Sequence, residues 1–204
     1  MCFNAEVSIT TYTIGVLGCI YLLYNKYTPE SIFLLWVIHM QLIEFFLWKN
    51  QPCNNMNKKI GKIGMIVNNL EPIILWLAII YFSKKKLPNW MHVVMGSFIL
   101  FTLYISYNSY TRDSCTVVTD DSSPHLNWLW NNEGNFNEIY YLFFLIVCIL
   151  LAIFGLTYGY HMAMILLISY LLSYIIYVKS KSLGSMWCFF AAFVPLLIPT
   201  IYKI

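Results

Sequence analysis

The chain has 204 residues and a formal net charge of +3, with 60% of its residues hydrophobic and only 10% charged. Soluble domains carry about 25% charged and about 45–50% apolar residues, so a water-soluble fold of this size could not bury so much apolar surface. The small, scattered positive charge also excludes nucleic acid as an expected partner and leaves the lipid bilayer. We therefore expect a single all-α domain, residues 1–204, that lies in a membrane.

Seven apolar stretches of about 18 to 21 residues follow one another, and each is long enough to cross ~30 Å of hydrocarbon as an α-helix. Short connections between most of them favour an antiparallel, up-and-down bundle of seven transmembrane helices. The predicted spans are Glu6 to Tyr24, Ser31 to Trp48, Met65 to Phe82, Trp90 to Tyr110, Glu138 to Thr157, Tyr160 to Val178, and Leu183 to Tyr202.

The connections also carry information about the two faces of the bundle. Residues 25–30 form a short loop with a proline, residues 49–64 a basic loop rich in Asn, and residues 111–137 an acidic loop that could cap the bundle at the membrane surface. Seven basic side chains fall on the face of the N-terminus and five on the other, which does not fix the orientation by the positive-inside rule. Cys53 and Cys115 share the N-terminal face. They form a disulfide if that face is oxidising, or remain free thiols if it is reducing.

Carboxylates at membrane depth are the most informative residues, because an ionisable group in a span usually faces the bundle interior or a water-filled cavity. In helix 2, Gln41 and Glu44 lie on one face, and in helix 3, Asn68 and Glu71 share a face. Glu6 begins a polar stripe in helix 1. The helical rise places all three carboxylates in the leaflet of the N-terminal face. The sequence thus predicts a polar pocket between helices 1, 2 and 3.

Three carboxylates in a low-dielectric pocket repel one another, so that one or two could hold a proton near neutral pH, or the set could share a cation. Pro72, which lacks an N–H, would free the carbonyl of Asn68 beside Glu71. This predicts a small transporter, channel or ligand-sensing protein for a proton, a cation or a polar small molecule. The alternative is that each Glu only bonds a neighbouring helix.

Cys2 suggests a second class of function. Removal of Met1 would leave a free amine beside the thiol, as in enzymes with an N-terminal nucleophile. An intramembrane enzyme using Cys2 or a carboxylate-bound metal is therefore an alternative, and a structural protein of a virion or host membrane is another. No two histidines stand at i, i+3 or i+4, so no histidine metal site is expected. Neither the cofactor nor the oligomeric state is specified, although an oligomer is compatible with the pattern.

Two later helices have distinctive patterns. Pro195 and Pro199 lie one turn apart in helix 7 and predict a kink or hinge there. Ser169 and Ser173, together with tyrosines, make helix 6 amphipathic for a membrane helix, a pattern that favours packing through hydroxylated residues.

A resemblance to a known family rests on the opening residues Met1-Cys2-Phe3-Asn4-Ala5-Glu6, on Gln41-Leu42-Ile43-Glu44 and on Trp48. The chain resembles a family of uncharacterised polytopic membrane proteins of bacteria and large DNA viruses that begin Met-Cys-Phe-Ser-Ala and have a Gln-Leu-Ile/Phe-Glu motif followed by Trp. Asn4 stands here in place of the usual Ser, and Met40 where bacterial members have His. The resemblance covers about the first fifty residues and implies a role for Cys2, Glu6, Gln41 and Glu44. The richness in Lys, Asn, Ile and Tyr suits the viral branch.

Overall fold

The computed structural model describes residues 4–112, 114–118, 125–129, 135–177 and 183–202. Over these residues the chain is helical apart from one short antiparallel hairpin, which confirms the all-α prediction. The elements in chain order are α1 (Ala5–Tyr24), α2 (Thr28–Lys49), α3 (Asn55–Asn69), α4 (Glu71–Phe82), α5 (Asn89–Tyr110), β1 (Thr116–Val118), β2 (Leu126–Trp128), α6 (Asn135–Gly155), α7 (Gly159–Tyr177), α8 (Leu183–Ala191) and α9 (Val194–Ile201).

Among the described residues, four helices are long and apolar enough to cross a membrane, namely α1, α2, α5 and α7. Two bent pairs, α3 with α4 and α8 with α9, raise the number to six if each pair is one broken span. In α6, the apolar stretch Ile139–Gly155 is shorter than a full span. The fold therefore has four to six candidate spans, and the predicted count of seven is not confirmed.

Large apolar side chains cover much of the outer surface of these helices. Leu100 on α5 is 71% exposed and Val93 is 70% exposed, and many other Leu, Ile, Phe and Tyr side chains face outward in the same way. A contiguous apolar exterior of this kind is unusual for a soluble monomer. It is compatible with an integral membrane protein whose surface meets hydrocarbon.

Helix α2 lies at the centre of the bundle. It packs against α1, α3, α4 and α8. In its 18-residue apolar segment 56% of the residues are buried, compared with 33% in α1 and 28% in α5 and α7. Close approach to α1 depends on Gly15, because a Cβ at this position would come within 2.8 Å of the Ile38 side chain. Residues on several faces of α2 are therefore positioned to form polar sites with different neighbours.

The third predicted span differs from the structure at its start and in its middle. The helix begins at Asn55 instead of Met65, because Asn54 caps it by accepting a hydrogen bond from the Asn57 N–H at 2.8 Å. It then breaks at Leu70, and α4 starts with Pro72 in its first turn at a bend of 43°. Proline accounts for the break because it has no N–H to continue the helical ladder.

The last predicted span also bends, as its prolines predict. Helices α8 and α9 meet at 49°, and Pro195 occupies the first turn of α9. The bend lies just before Pro195, at residues 192–193, so that Ala191 ends one half and Val194 begins the other. Gly18 of α1 permits close packing here, since a Cβ on Gly18 would lie 2.8 Å from the Cβ of Pro195.

The hairpin covers the end of the bundle that carries the start of α1. A disulfide joins Cys53, before α3, to Cys115, before β1, so the oxidised alternative is the one present. Beside it, the Asn57 amide donates to the Thr116 carbonyl and accepts from the Thr116 N–H, both at 2.9 Å. The buried Trp128 places β2 over this end of the bundle. The described strands of the 111–137 segment thus pack against α3 and α8, and its acidic residues lie outside the described part of the chain, so the predicted cap stays a prediction.

This disulfide can be tested by alkylation of the denatured protein. Iodoacetamide without reductant should leave Cys53 and Cys115 unmodified, and prior reduction should make both react, as read from peptide masses. Cys19 and Cys148 are free thiols and should react in both conditions, which makes them the internal control. Modification of Cys53 without reductant would contradict the bridge.

Candidate functional site

Glu71 is the first residue of α4 and lies at the break between α3 and α4. Its side chain is 1% exposed, and its Oε1 atom has no hydrogen-bond partner among the described residues. Burying an ionised carboxylate costs a large free energy unless a partner compensates it. The position of Glu71 therefore calls for a bound proton, a bound cation or water.

A cavity of about 10 Å³ is lined in part by Glu71. Its walls come from α2, α4, α7, α8 and α9. Both sides of the break between α8 and α9 contribute, because Ala191 ends α8 and Val194 begins α9. The two discontinuous helices therefore break at the same cavity. Its lining residues are Phe33, Leu34, Val37, Glu71, Leu166, Ser169, Trp187, Ala191 and Val194.

The cavity lies near the middle of the bundle. Eleven residues separate Glu71 from Phe82 at the end of α4, and at 1.5 Å per residue this is about 17 Å. Ten residues separate Ser169 from Gly159 at the start of α7, which is about 15 Å. Both helix ends lie on the face of the short connections, so the cavity lies about 15–17 Å from that face, close to half of the ~30 Å hydrocarbon thickness of a bilayer.

Few polar atoms accompany Glu71 in the cavity. The Trp187 indole N–H donates to the Ser169 hydroxyl at 3.0 Å, and that hydroxyl donates to the Leu166 carbonyl at 3.0 Å. The remaining lining is mainly apolar. Tyr140 and Cys148 of α6 are close enough to interact electrostatically with the Glu71 carboxyl. No group of three or more potential metal-ligating His, Cys, Asp or Glu side chains occurs in the described part of the chain.

Gln41 and Glu44 form a separate polar site between α1 and α2. Both side chains are fully buried. The Gln41 amide donates to Glu44 Oε2 at 3.1 Å, and the Thr11 hydroxyl of α1 donates to Gln41 Oε1 at 3.0 Å. The predicted pairing of Gln41 with Glu44 is present, and the pair joins helices 1 and 2.

Asn68 lies at the end of α3 and bonds away from both of these sites. Its amide donates to the Tyr141 hydroxyl of α6 at 3.1 Å. The neighbouring Asn69 amide donates to the Ser106 hydroxyl of α5 at 2.9 Å. These contacts tie α3 to α5 and α6.

The predicted set of carboxylates therefore occupies three environments. Glu6 is exposed in the first turn of α1. Glu44 lies seven residues beyond the cavity residue Val37 on α2, which is about 10 Å along the helix axis. Glu71 faces α2, α7 and α8, on a side of the bundle that the sequence did not indicate. Cys2 lies outside the described residues, so its proposed chemistry stays a prediction.

No protein-family model, curated protein or solved structure matches this chain. The resemblance of its first fifty residues to the Met-Cys-Phe family therefore stays a prediction.

Sequence reasoning missed two residues of the cavity and one buried carboxyl group outside it. It interpreted Ser169 only as a packing residue and did not single out Trp187. It also assigned Glu30 to a loop, whereas Glu30 lies in the first turn of α2 and is 3% exposed. The sequence does contain a signal for this helix start, because Pro29 and an acidic residue just after it are typical of the first turn of a helix.

Proposed function

We propose that this chain is a small proton-translocating membrane protein, a transporter or channel, in which Glu71 takes up and releases the proton. The observation that carries the proposal is the position of Glu71, which has a buried carboxyl oxygen and lines a water-sized cavity where two helices are interrupted. Carboxyl groups inside a membrane bundle commonly mark ion and proton pathways. Interrupted helices commonly form the central binding sites of transporters.

The chemistry of the cavity favours a proton over larger ligands. A volume of about 10 Å³ is close to the least that one water molecule needs, about 10–15 Å³. Mg²⁺ and Ca²⁺ take about six or more oxygen ligands, whereas the cavity side chains supply one carboxyl group and one hydroxyl. A proton requires no shell of ligands, and an organic molecule would not fit.

The helix break supports reversible protonation at Glu71. As the first residue of α4, its carboxylate is stabilised by the positive end of the helix dipole. The apolar lining of the cavity opposes this, because it disfavours any unpaired charge. With these two effects opposed, a modest change in hydration or helix position shifts the proton on or off.

We further propose seven spans in all, counting α6 and both bent pairs. We infer the orientation from the Cys53–Cys115 disulfide, since disulfides persist in oxidising compartments. The face with the hairpin lies outside the cytosol. The opposite face, with Lys26 and Lys84, lies in the cytosol.

Reconstitution tests this function directly. Proteoliposomes that hold a trapped pH-sensitive dye and a potassium–valinomycin potential should show proton flux above that of protein-free vesicles. Dicyclohexylcarbodiimide, which reacts with protonated carboxyl groups inside membranes, should modify Glu71 and block the flux. Absence of flux in both directions of the potential would refute the proposal.

A further inference from the structure

A second buried carboxyl group, Glu30, lies between the Glu71 cavity and the proposed cytosolic face. It is in the first turn of α2, three and four residues before the cavity residues Phe33 and Leu34, and so lies on the same side of the helix. The axial distance to them is about 5 Å. The Glu30 side chain is 3% exposed, although it is only two residues from the start of its helix.

Tyr202 lies near Glu30, at the end of α9 in the broken helix pair α8–α9. It follows the last residue of α9, eight residues after the cavity residue Val194, and Ile198 lies midway on the same side. Tyr202 is 5% exposed, and its hydroxyl has no hydrogen-bond partner among the described residues. Its hydroxyl interacts electrostatically with Glu30. A buried, unpartnered hydroxyl beside a buried carboxyl group is costly unless a proton or water joins them.

Three further ring side chains connect this pair to the surface. Tyr158 stacks on Tyr202 with ring centroids 4.3 Å apart, and Tyr27 and His161 meet Tyr202 edge-on at 5.2 Å and 5.9 Å. Tyr27 and Tyr158 are half-buried and His161 is exposed. These rings and Glu30 are the titratable groups that α2, α7 and α9 bring together here. Their ring contacts extend from the exposed His161 to the buried Tyr202.

We propose that Glu30 and the Tyr202 hydroxyl form the station through which protons pass between Glu71 and the cytosolic face, an inference that rests on the proposed function. A proton leaving the Glu71 carboxyl is accepted, through water, by the Glu30 carboxylate. The O–H bond at Glu71 breaks and one at Glu30 forms, and the Glu30 carboxyl then releases its proton to water at the surface. Phe33 and Leu34 separate the two carboxyl groups, so their side chains must move during each passage.

The experiment measures proton flux and exchange at Glu71 in the same reconstituted variants. Glu30→Gln and Tyr202→Phe should each slow flux by about tenfold or more, roughly the factor that one lost hydrogen bond to an ionised group represents. Infrared difference spectra in heavy water should show the Glu71 carboxyl band, identified by its absence in Glu71→Gln. Its deuterium exchange should slow in both variants. Lys59→Gln, a change to an exposed side chain of α3 near the opposite face, should leave both rates unchanged.

The outcomes separate the two proposals. Wild-type rates of flux and of Glu71 exchange in Tyr202→Phe and Glu30→Gln would overturn the station while leaving Glu71 in place. No flux in the wild type would overturn both. Tyr202→Phe removes one oxygen and keeps the ring stacked on Tyr158, so it tests the station even if Glu30→Gln fails to fold.

Discussion

Glu71→Gln should reduce proton flux to the level of protein-free vesicles. Glutamine has nearly the same volume as glutamic acid and keeps one oxygen toward the cavity, but it cannot release or take up a proton near neutral pH. The cavity walls would remain in place, because they come from α2, α7, α8 and α9 as well as α4. Dye-reported flux under an imposed potential is the measurement.

Glu44→Gln is the matched control for this variant. Glu44 is as deeply buried as Glu71 and also lies in the bundle, but its Oε2 accepts from Gln41 and its site joins α1 to α2. Proton flux through the Glu44→Gln variant should stay close to that of the wild type. Carbodiimide modification should be retained in Glu44→Gln and lost in Glu71→Gln. If Glu44→Gln abolished flux and Glu71→Gln did not, the proton site would lie between α1 and α2.

Hydropathy alone predicted most of the helices, and the differences have physical causes. The start of α3 was missed because the segment before Met65 contains the polar Asn57 and three lysines, Lys58, Lys59 and Lys62. The buried Asn57 amide lowers the hydropathy of this segment, although Thr116 of the hairpin satisfies its hydrogen bonds. The start of α3 is instead determined locally, by the N-cap that Asn54 forms.

The composition of the cavity could not be predicted from the sequence. Its lining extends from Phe33 to Val194, and helix packing alone brings these residues together. Spacing along a helix places residues on one face, as it did for Gln41 and Glu44, but it does not say which neighbour that face meets. Glu71 was identified as a membrane carboxyl from its sequence, whereas Ser169 and Trp187, which line the same cavity, were not identified as site residues.

The two helix breaks show how far proline can guide such a prediction. Pro195 predicted a bend in the last span, and the structure bends there. Pro72 predicted a lost hydrogen bond, and the structure has a full break with a carboxyl group at its edge. That both breaks meet one cavity depends on the packing of α4 and α9 around α2, which neither proline encodes.

Gly159→Ala should be among the most destabilising single substitutions in the bundle. Gly159 begins α7 after the tight turn that follows α6. A Cβ there would overlap the Ala152 carbonyl oxygen and lie 2.8 Å from the Ile153 Cα, and these backbone atoms cannot rotate away. The two helices would have to separate, at a cost of about 3 kcal/mol. Thermal unfolding of the purified protein in detergent should show a lower Tm.

Gly96→Ala provides the matched control, since a Cβ on Gly96 of α5 would meet no heavy atom within 4 Å. Alanine is favoured over glycine within a helix by up to about 1 kcal/mol, so the Tm should stay the same or rise. The α6–α7 turn also aligns Ser169 with the cavity and His161 with Tyr202. Proton flux should therefore fall with the Tm in Gly159→Ala and remain in Gly96→Ala. Equal Tm values for the two variants would show that α6 and α7 do not approach this closely.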